Sequence, residues 1–279
     1  MTLTEMRQIL ADGGIQLTKS LGQNFLHDAN QLRRIVDAAE LSPADRVLEI
    51  GPGLGPLTEL LLAESAHVLA LELDERLVTI LRRKFADHTK LELRHKDALG
   101  FLRHQKRDWA GWKLVANLPY SVASPVLVEL AQAERPPGRM TVTLQLEVAR
   151  RLAANAGDDD YGVLTLLVQL TFAPGGMFKI PPGCFFPEPD VTSACLTLVR
   201  RPEPLLPREL HRTYTQIVKR AFSQRRKMML KLLRADWPGE TLDAAFATLN
   251  ISPQARAETV SLEAFVKLTE LLTASPSPA

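Results

Sequence analysis

Four consecutive residues, Asn117-Leu118-Pro119-Tyr120, carry groups that suit the methylation of an amine. An amino group on an aromatic base is a poor nucleophile, because its lone pair is delocalised into the ring. If the Asn117 side-chain oxygen and the Leu118 backbone carbonyl accept its two N–H bonds, the nitrogen can pyramidalise and attack a methyl group in line. The Tyr120 ring would lie beside the reacting groups. The motif therefore predicts methyl transfer to an amino group of a planar base, without a strong general base.

A glycine-rich turn, Gly51-Pro52-Gly53-Leu54-Gly55, follows the first predicted strand and precedes a helix. Such a turn lets a nucleotide-like ligand approach the backbone closely at the carboxyl end of a sheet. Glu72 ends the second strand, where its carboxylate can accept hydrogen bonds from ribose hydroxyls. Asp97 follows the third strand and can accept a bond from an exocyclic adenine amine. Together these strand ends predict a site for an adenosine-containing cofactor.

Two cofactors could occupy such a site, since NAD enzymes and methyltransferases share the topology and the acidic ribose ligand. The glycine spacing here is GxGxG rather than GxGxxG, so the third glycine is not placed for a pyrophosphate on the helix start. S-adenosylmethionine has no pyrophosphate, and we expect it to be the cofactor. An NAD oxidoreductase would also need a hydride-transfer site, which the sequence does not show.

The elements that must position these residues alternate between apolar strands and helices, which predicts a Rossmann-like parallel α/β sheet of the class I methyltransferase type. Two further strands would complete the sheet. Strands are predicted at Arg46–Ile50, Val68–Glu72, Leu91–Arg94, Leu114–Ala116, Thr141–Gln145, Met177–Ile180 and Ser193–Val199, and helices at Thr58–Ala63, Glu75–Phe85, Pro125–Ala133 and Tyr161–Phe172.

Strand patterns end after Arg201, and helices are predicted at 207–233, 240–249 and 261–273. We therefore expect a catalytic, cofactor-binding domain at 1–201 and a small all-helical domain at 202–279 with a disordered C-terminal tip. Residues 200–236 hold eleven Lys or Arg against three acids, whereas the whole chain has a net charge of only +2. This local charge indicates either a nucleic-acid contact or a solvated helix face.

The composition is that of a globular protein, with 46% hydrophobic and 24% charged residues. Two cysteines are too few for a disulfide framework or a zinc cluster, so we expect a reducing compartment and no metal. We see neither a targeting segment nor a stretch of transmembrane length. We expect a cytoplasmic protein that does not associate with membranes.

The chain resembles the KsgA-type small-subunit rRNA adenine dimethyltransferases from about residue 17 to 270. Ser20-Leu21-Gly22-Gln23-Asn24-Phe25-Leu26 is similar to the family's amino-terminal cofactor motif. Phe185-Phe186-Pro187-Glu188-Pro189-Asp190-Val191 is similar to its FxPxPxV motif, which implies that Phe185 stacks on the extruded target base. From the residues alone, Phe185 could equally be a core residue. The cofactor contacts that the resemblance implies are Asn24, Leu26, Gly51, Glu72, Asp97 and Asn117, and the glycine turn itself adds Gly53 to the expected contacts.

The resemblance also implies a target, namely two adjacent adenosines in a hairpin loop near the 3′ end of 16S rRNA, within the 30S subunit or its precursor. Each N6 would be methylated twice, with a role in subunit biogenesis. We expect a monomer that contacts rRNA through Arg220, Arg225, Arg226 and Lys227.

Related classes remain as alternatives. The first is a noncatalytic ribosome-assembly or transcription factor on the same fold, which the intact Asn117–Tyr120 motif disfavours. The second is a large-subunit, erythromycin-resistance type methyltransferase. Such enzymes typically lack the Ser-Leu-Gly that precedes Gln23, and the Ala221–Lys227 segment with Arg256-Ala257-Glu258 resembles the small-subunit family instead.

Overall fold

A computed structural model describes residues 1–15, 24–105 and 107–274. Their contacts divide the chain into two compact units. The first consists of residues 1–149 and 173–200, and the second of residues 150–172 and 201–279. The sequence had predicted a single break after residue 201, so the two divisions differ at residues 150–172. The predicted tip at 275–279 lies outside the described residues.

The first unit is built on a seven-stranded sheet. Its strands are β2 (Arg46–Ile50), β3 (His67–Glu72), β4 (Leu91–His95), β5 (Trp112–Asn117), β6 (Arg139–Gln145), β7 (Phe172–Ile180) and β9 (Ser193–Arg200). Strands β2 to β6 pair in parallel in the order β4-β3-β2-β5-β6, and β9 pairs antiparallel with β6 and carries β7 on its other side. This confirms the expected Rossmann-like fold and the two late strands that complete it.

Helices follow the parallel strands, and several begin at residues that cap them. Asp28, Asp74 and Asp97 are N-caps whose carboxylates accept backbone N–H bonds of the first turn. Residue Pro56, after the left-handed Gly55, opens the helix that follows the glycine turn. The helices are α1 (Leu3–Asp12), α2 (Ala29–Ala39), α3 (Pro56–Glu64), α4 (Glu75–Lys84), α5 (Ala98–His104), α6 (Ala123–Ala131) and α7 (Leu146–Ala153).

A two-stranded antiparallel ribbon stands apart from the main sheet. It pairs β1 (Phe25–Leu26) with β8 (Phe185–Phe186), so that Phe25 is opposite Phe186 and Leu26 is opposite Phe185. We call this pair the β1–β8 ribbon. The sequence analysis did not predict it, because a strand of two residues has no periodicity to detect.

The second unit is helical. Its helices are α8 (Val163–Gln169), α9 (His211–Ala221), α10 (Met229–Leu233), α11 (Gly239–Thr248) and α12 (Leu262–Ala274). The Tyr214 hydroxyl donates to the Leu166 carbonyl at 3.1 Å, and the Tyr161 hydroxyl to the Val260 carbonyl at 2.9 Å. These buried bonds explain why residues 150–172 belong to this unit. Among the described residues, no helix has the length and apolar character needed to cross a membrane.

Candidate active site

A cavity of about 190 Å³ lies at the carboxyl ends of β2, β3 and β5 in the first unit. Parallel strands place their ends along one edge of the sheet, so residues distant in sequence converge there. All of the predicted cofactor-binding and catalytic residues except Phe185 line this cavity. They are Asn24, Leu26, Gly51, Gly53, Glu72, Asp97, Asn117, Leu118, Pro119 and Tyr120.

The glycine turn needs glycine for two reasons. Gly51 and Gly53 have φ angles of +69° and +62°, which side chains disfavour. A Cβ atom on Gly53 would also lie 2.7 Å from the Phe25 ring, and one on Gly51 would lie 3.2 Å from Pro119. The turn is therefore packed against the β1–β8 ribbon on one side and against the Asn117–Tyr120 motif on the other.

Glu72 is held in place by backbone groups. Its Oε2 accepts the Gly53 N–H at 3.1 Å, and its Oε1 accepts the N–H groups of Leu73 at 2.8 Å and Asp74 at 2.9 Å. The side chain is buried, and this burial raises its pKa, although the three hydrogen bonds oppose the shift. A carboxylate oxygen can accept two bonds, so Oε2 has capacity for a ligand hydroxyl.

Asp97 caps a helix and also lines the cavity. Its Oδ2 caps α5 by accepting the Gly100 N–H at 2.7 Å. The residue is exposed and lines the cavity, so the second oxygen is placed to accept a bond from a ligand amine.

Asn117 carries an unsatisfied acceptor. Its Nδ2 donates to the Asn24 backbone carbonyl at 2.9 Å, whereas its buried Oδ1 has no hydrogen-bond partner in the described part of the chain. A buried acceptor without a partner costs about 1–3 kcal/mol, so it is a group that a bound N–H would satisfy. The next residue is fixed by a bond from the Leu118 N–H to the Thr143 carbonyl at 3.0 Å.

Tyr120 supplies the aromatic ring beside Asn117. Its hydroxyl is 2.6 Å from the Ser193 Oγ, which anchors the ring at the cavity wall. Burial raises the pKa of Tyr120 above its ordinary value.

Phe185 is the predicted site residue that the structure does not bring to the cavity. Its pairing with Leu26 turns the ring into the hydrophobic core, where it is 3% exposed and packs with residues such as Ile180 and Cys195. In this arrangement the ring does not line the cavity, whereas the aromatic residues Phe25 and Tyr120 do. The core role is the alternative that the residues alone had left open.

Glu49 lines the cavity and was missed by the sequence analysis. It is 1% exposed, and its Oε2 accepts a bond from the Thr58 hydroxyl at 2.7 Å. Burial raises its pKa to about 8. The available signal was an acid inside the apolar strand that leads into the glycine turn, a position where burial penalises charge.

Replacing Glu49 with Gln should change the pH dependence of stability. The unfolded carboxyl ionises near its ordinary pKa of 4.5, whereas the folded one holds its proton to about pH 8. The ionisation of Glu49 therefore lowers the stability of the wild type as pH rises through this window, and the Gln variant lacks this contribution. Thermal melts of both proteins at about pH 6 and pH 9 measure the effect. A stability difference that is equal at both pH values would contradict it.

The four basic residues predicted to contact RNA, Arg220, Arg225, Arg226 and Lys227, belong to the second unit. Their hydrogen-bond partners within the protein differ. Arg220 forms a two-pronged ion pair with Asp236, at 2.5 and 2.9 Å, and Arg225 donates to the Asp159 carbonyl at 2.8 Å. Arg226 and Lys227 are exposed, and their side chains make no such bonds within the described ranges. The same ranges contain no group of three or more His, Cys, Asp or Glu residues suited to a metal ion.

A family model described as "Ribosomal RNA adenine dimethylase" matches residues 14–274. The chain is 40% identical to "Ribosomal RNA small subunit methyltransferase A" of Geobacter metallireducens over 94% of its own length and 97% of the relative's. It is 38% identical to the protein of the same name from Geobacillus kaustophilus, over 95% and 94% of the two chains.

Solved structures share the fold. The crystal structure of the 23S rRNA methyltransferase ErmE superposes with a TM-score of 0.70 at 30% identity, covering 90% of this chain and all of that one. A dimethyladenosine transferase from Plasmodium falciparum superposes with a TM-score of 0.71 at 24% identity, over 88% and 95% of the two chains.

Proposed function

The chain belongs to the ribosomal RNA adenine dimethylase family, and on this premise we propose that it methylates two adjacent adenosines of small-subunit rRNA twice each at N6. The small-subunit assignment follows the names of relatives at 38–40% identity, above the 30% shared with ErmE. The observation that carries the chemistry is the buried, unpaired Oδ1 of Asn117 on a residue of the cavity wall.

The family implies S-adenosylmethionine, and the cavity suits it. Acidic groups at the ends of β3 and β4 match ribose hydroxyls and an adenine amine, and the glycine turn brings backbone close to the ligand. When bound, this cofactor supplies a methyl group activated by a sulfonium. We assign its binding to Asn24, Leu26, Gly51, Gly53, Glu72, Asp97 and Asn117.

Asn117 and Leu118 would prepare the target nitrogen. The Asn117 Oδ1 and the Leu118 carbonyl each accept one N6–H bond, which draws the lone pair out of conjugation and directs it at the methyl carbon. As the nitrogen gains positive charge its N–H becomes acidic, and the proton leaves to water or to one of these acceptors. Pro119 fixes the turn beside Gly51, and Tyr120 provides an aromatic surface for the base.

We place the target in a hairpin loop near the 3′ end of 16S rRNA, within the 30S subunit or its precursor. A base must leave its stack to enter a cavity at a sheet edge, and the energetic cost of extrusion is lowest for unpaired nucleotides. The catalytic role would lie in residues 1–201 and the RNA-binding role in residues 202–279. The protein would act as a monomer in the cytoplasm during subunit biogenesis.

Replacing Glu72 with Ala should weaken cofactor binding by about tenfold or more, since each hydrogen bond to a charged group contributes about 1.5–3 kcal/mol. Calorimetric titration with S-adenosylmethionine measures the change. Glu75→Ala, which removes an exposed acid that does not line the cavity, is the control. An unchanged dissociation constant for Glu72→Ala would show that Glu72 is not the ribose ligand.

Reversing the charges of Arg225, Arg226 and Lys227 should weaken 30S binding and lower its salt dependence. Each lost contact with a single-stranded phosphate lowers the slope of log affinity against log salt by about 0.7. Arg220→Glu should act mainly on stability, because it breaks the pair with Asp236. Arg103→Glu, which breaks an exposed pair with Glu129 outside residues 200–236, is the control. If the triple variant bound 30S subunits with the affinity and salt dependence of the wild type, these three residues would be part of a solvated helix face and not an RNA contact.

Label transfer from S-adenosylmethionine to unmodified 30S and 50S subunits tests the proposal against its alternatives. We expect transfer to 30S subunits alone. Transfer to 50S subunits would favour the erythromycin-resistance type of enzyme. Binding to 30S subunits without transfer would favour a noncatalytic assembly factor.

A further inference from the structure

We propose that the β1–β8 ribbon positions the catalytic amide through Asn24, the residue immediately before β1. The Asn24 backbone carbonyl accepts the Asn117 Nδ2–H at 2.9 Å and so fixes which end of the amide is left for the substrate. This inference rests on the proposed function, since it concerns the same reaction. It makes Phe25 and Met6 positioning residues that act through Asn117.

The orientation of this amide decides whether the site can work. A half-turn of the Asn117 amide would exchange Oδ1 for Nδ2, and the acceptor needed by N6–H would become a donor that repels it. With Nδ2 bound to Asn24, the unpaired atom is Oδ1. Without this bond, nothing else in the described residues distinguishes the two orientations by hydrogen bonding.

The Asn24 carbonyl is in turn held by packing. The next residue, Phe25, pairs with Phe186. Its ring packs against Gly53 so closely that a Cβ atom on that glycine would lie 2.7 Å from the ring. The ring is buried in a small cluster with Met6 and Leu10 of α1, together with Leu54 and Leu77. Helix α1 and the glycine turn thus hold Phe25 in place, and with it the neighbouring Asn24 carbonyl that binds the Asn117 amide. We call this packing of Phe25 against Met6, Leu10 and Gly53 the clamp.

Nuclear magnetic resonance of the side-chain amide tests the contact directly. In ¹⁵N-labelled protein the Asn117 NH2 signals are identified by their loss in Asn117→Asp. We expect one of the two protons to exchange slowly with solvent in the wild type, and both to exchange quickly in Phe25→Ala and Met6→Ala. Met6 does not line the cavity, so its variant reports on the clamp alone. Fast exchange of both protons in the wild type would overturn the proposal.

A double-mutant cycle tests the consequence for the reaction. At saturating 30S subunits and cofactor, Phe25→Ala should lower the single-turnover rate by about tenfold or more in the wild-type background. In the Asn117→Asp background it should have an effect below about twofold, because no Nδ2–H remains to be held. Phe25→Leu should restore part of the rate. Equal losses in both backgrounds would show a merely structural role and overturn the inference.

Trp109→Ala is the matched control. Trp109 is a buried aromatic of the same unit that does not line the cavity, and its loss should lower stability without changing the single-turnover rate of the folded protein. Absence of methyl transfer by the wild type would instead refute the proposed function, and the amide exchange measurement would still decide whether the clamp exists.

Discussion

Truncating Asn117 to Ala should lower the single-turnover rate of methyl transfer on the order of a hundredfold or more. The variant loses a preorganised acceptor at the reacting nitrogen, an effect comparable to the removal of a donor from an oxyanion hole. The measurement uses unmodified 30S subunits and S-adenosylmethionine, both saturating, so that changes in binding do not enter the rate.

The control for this variant is Asn30→Ala, which removes the same side chain from an exposed position of α2. Thermal melts should show that both variants are folded. Near-wild-type dimethylation by folded Asn117→Ala would refute the mechanism.

Truncating Phe185 to Ala should lower the free energy of unfolding by about 3–5 kcal/mol, because the ring is almost fully buried in the core. If Phe185 instead stacked on the target base, as the FxPxPxV motif implies, its loss would appear as about 1–3 kcal/mol in substrate engagement. Denaturant unfolding of the two proteins measures the difference.

Phe186→Ala is the matched control, since its half-buried ring, with Arg7 above it at 5.0 Å, should cost less stability. For Phe185→Ala, the affinity of the folded fraction for 30S subunits should be close to that of the wild type. A small loss of stability together with a large loss of substrate engagement would show that Phe185 stacks on the base after all.

The sheet and most of the site could be predicted because they depend on local patterns. Most of the strands are short apolar runs, and the carboxyl ends of parallel strands fall on the same edge of the sheet. The positions of Glu72, Asp97 and Asn117 follow from that rule alone. Their convergence on one cavity was predicted without knowledge of any side-chain contact.

Other features depend on pairings between distant segments, which no local pattern encodes. The burial of Phe185 follows from its register against Leu26, and the internal use of Arg220 follows from its pair with Asp236. The buried Glu49 bonded to Thr58 is also visible only in the folded chain. The residues 20–23 of the amino-terminal cofactor motif lie outside the described ranges.

The most direct test of the central claim is the nucleoside composition of 16S rRNA after reaction with this protein. Unmodified 30S subunits are incubated with S-adenosylmethionine, the rRNA is digested, and the methylated nucleosides are quantified and mapped by mass spectrometry. We predict N6,N6-dimethyladenosine at two adjacent positions, and a much smaller amount when Asn117→Ala replaces the wild type over the same short reaction time. Methylation of another base or another atom, or the absence of any methylated nucleoside, would contradict the account.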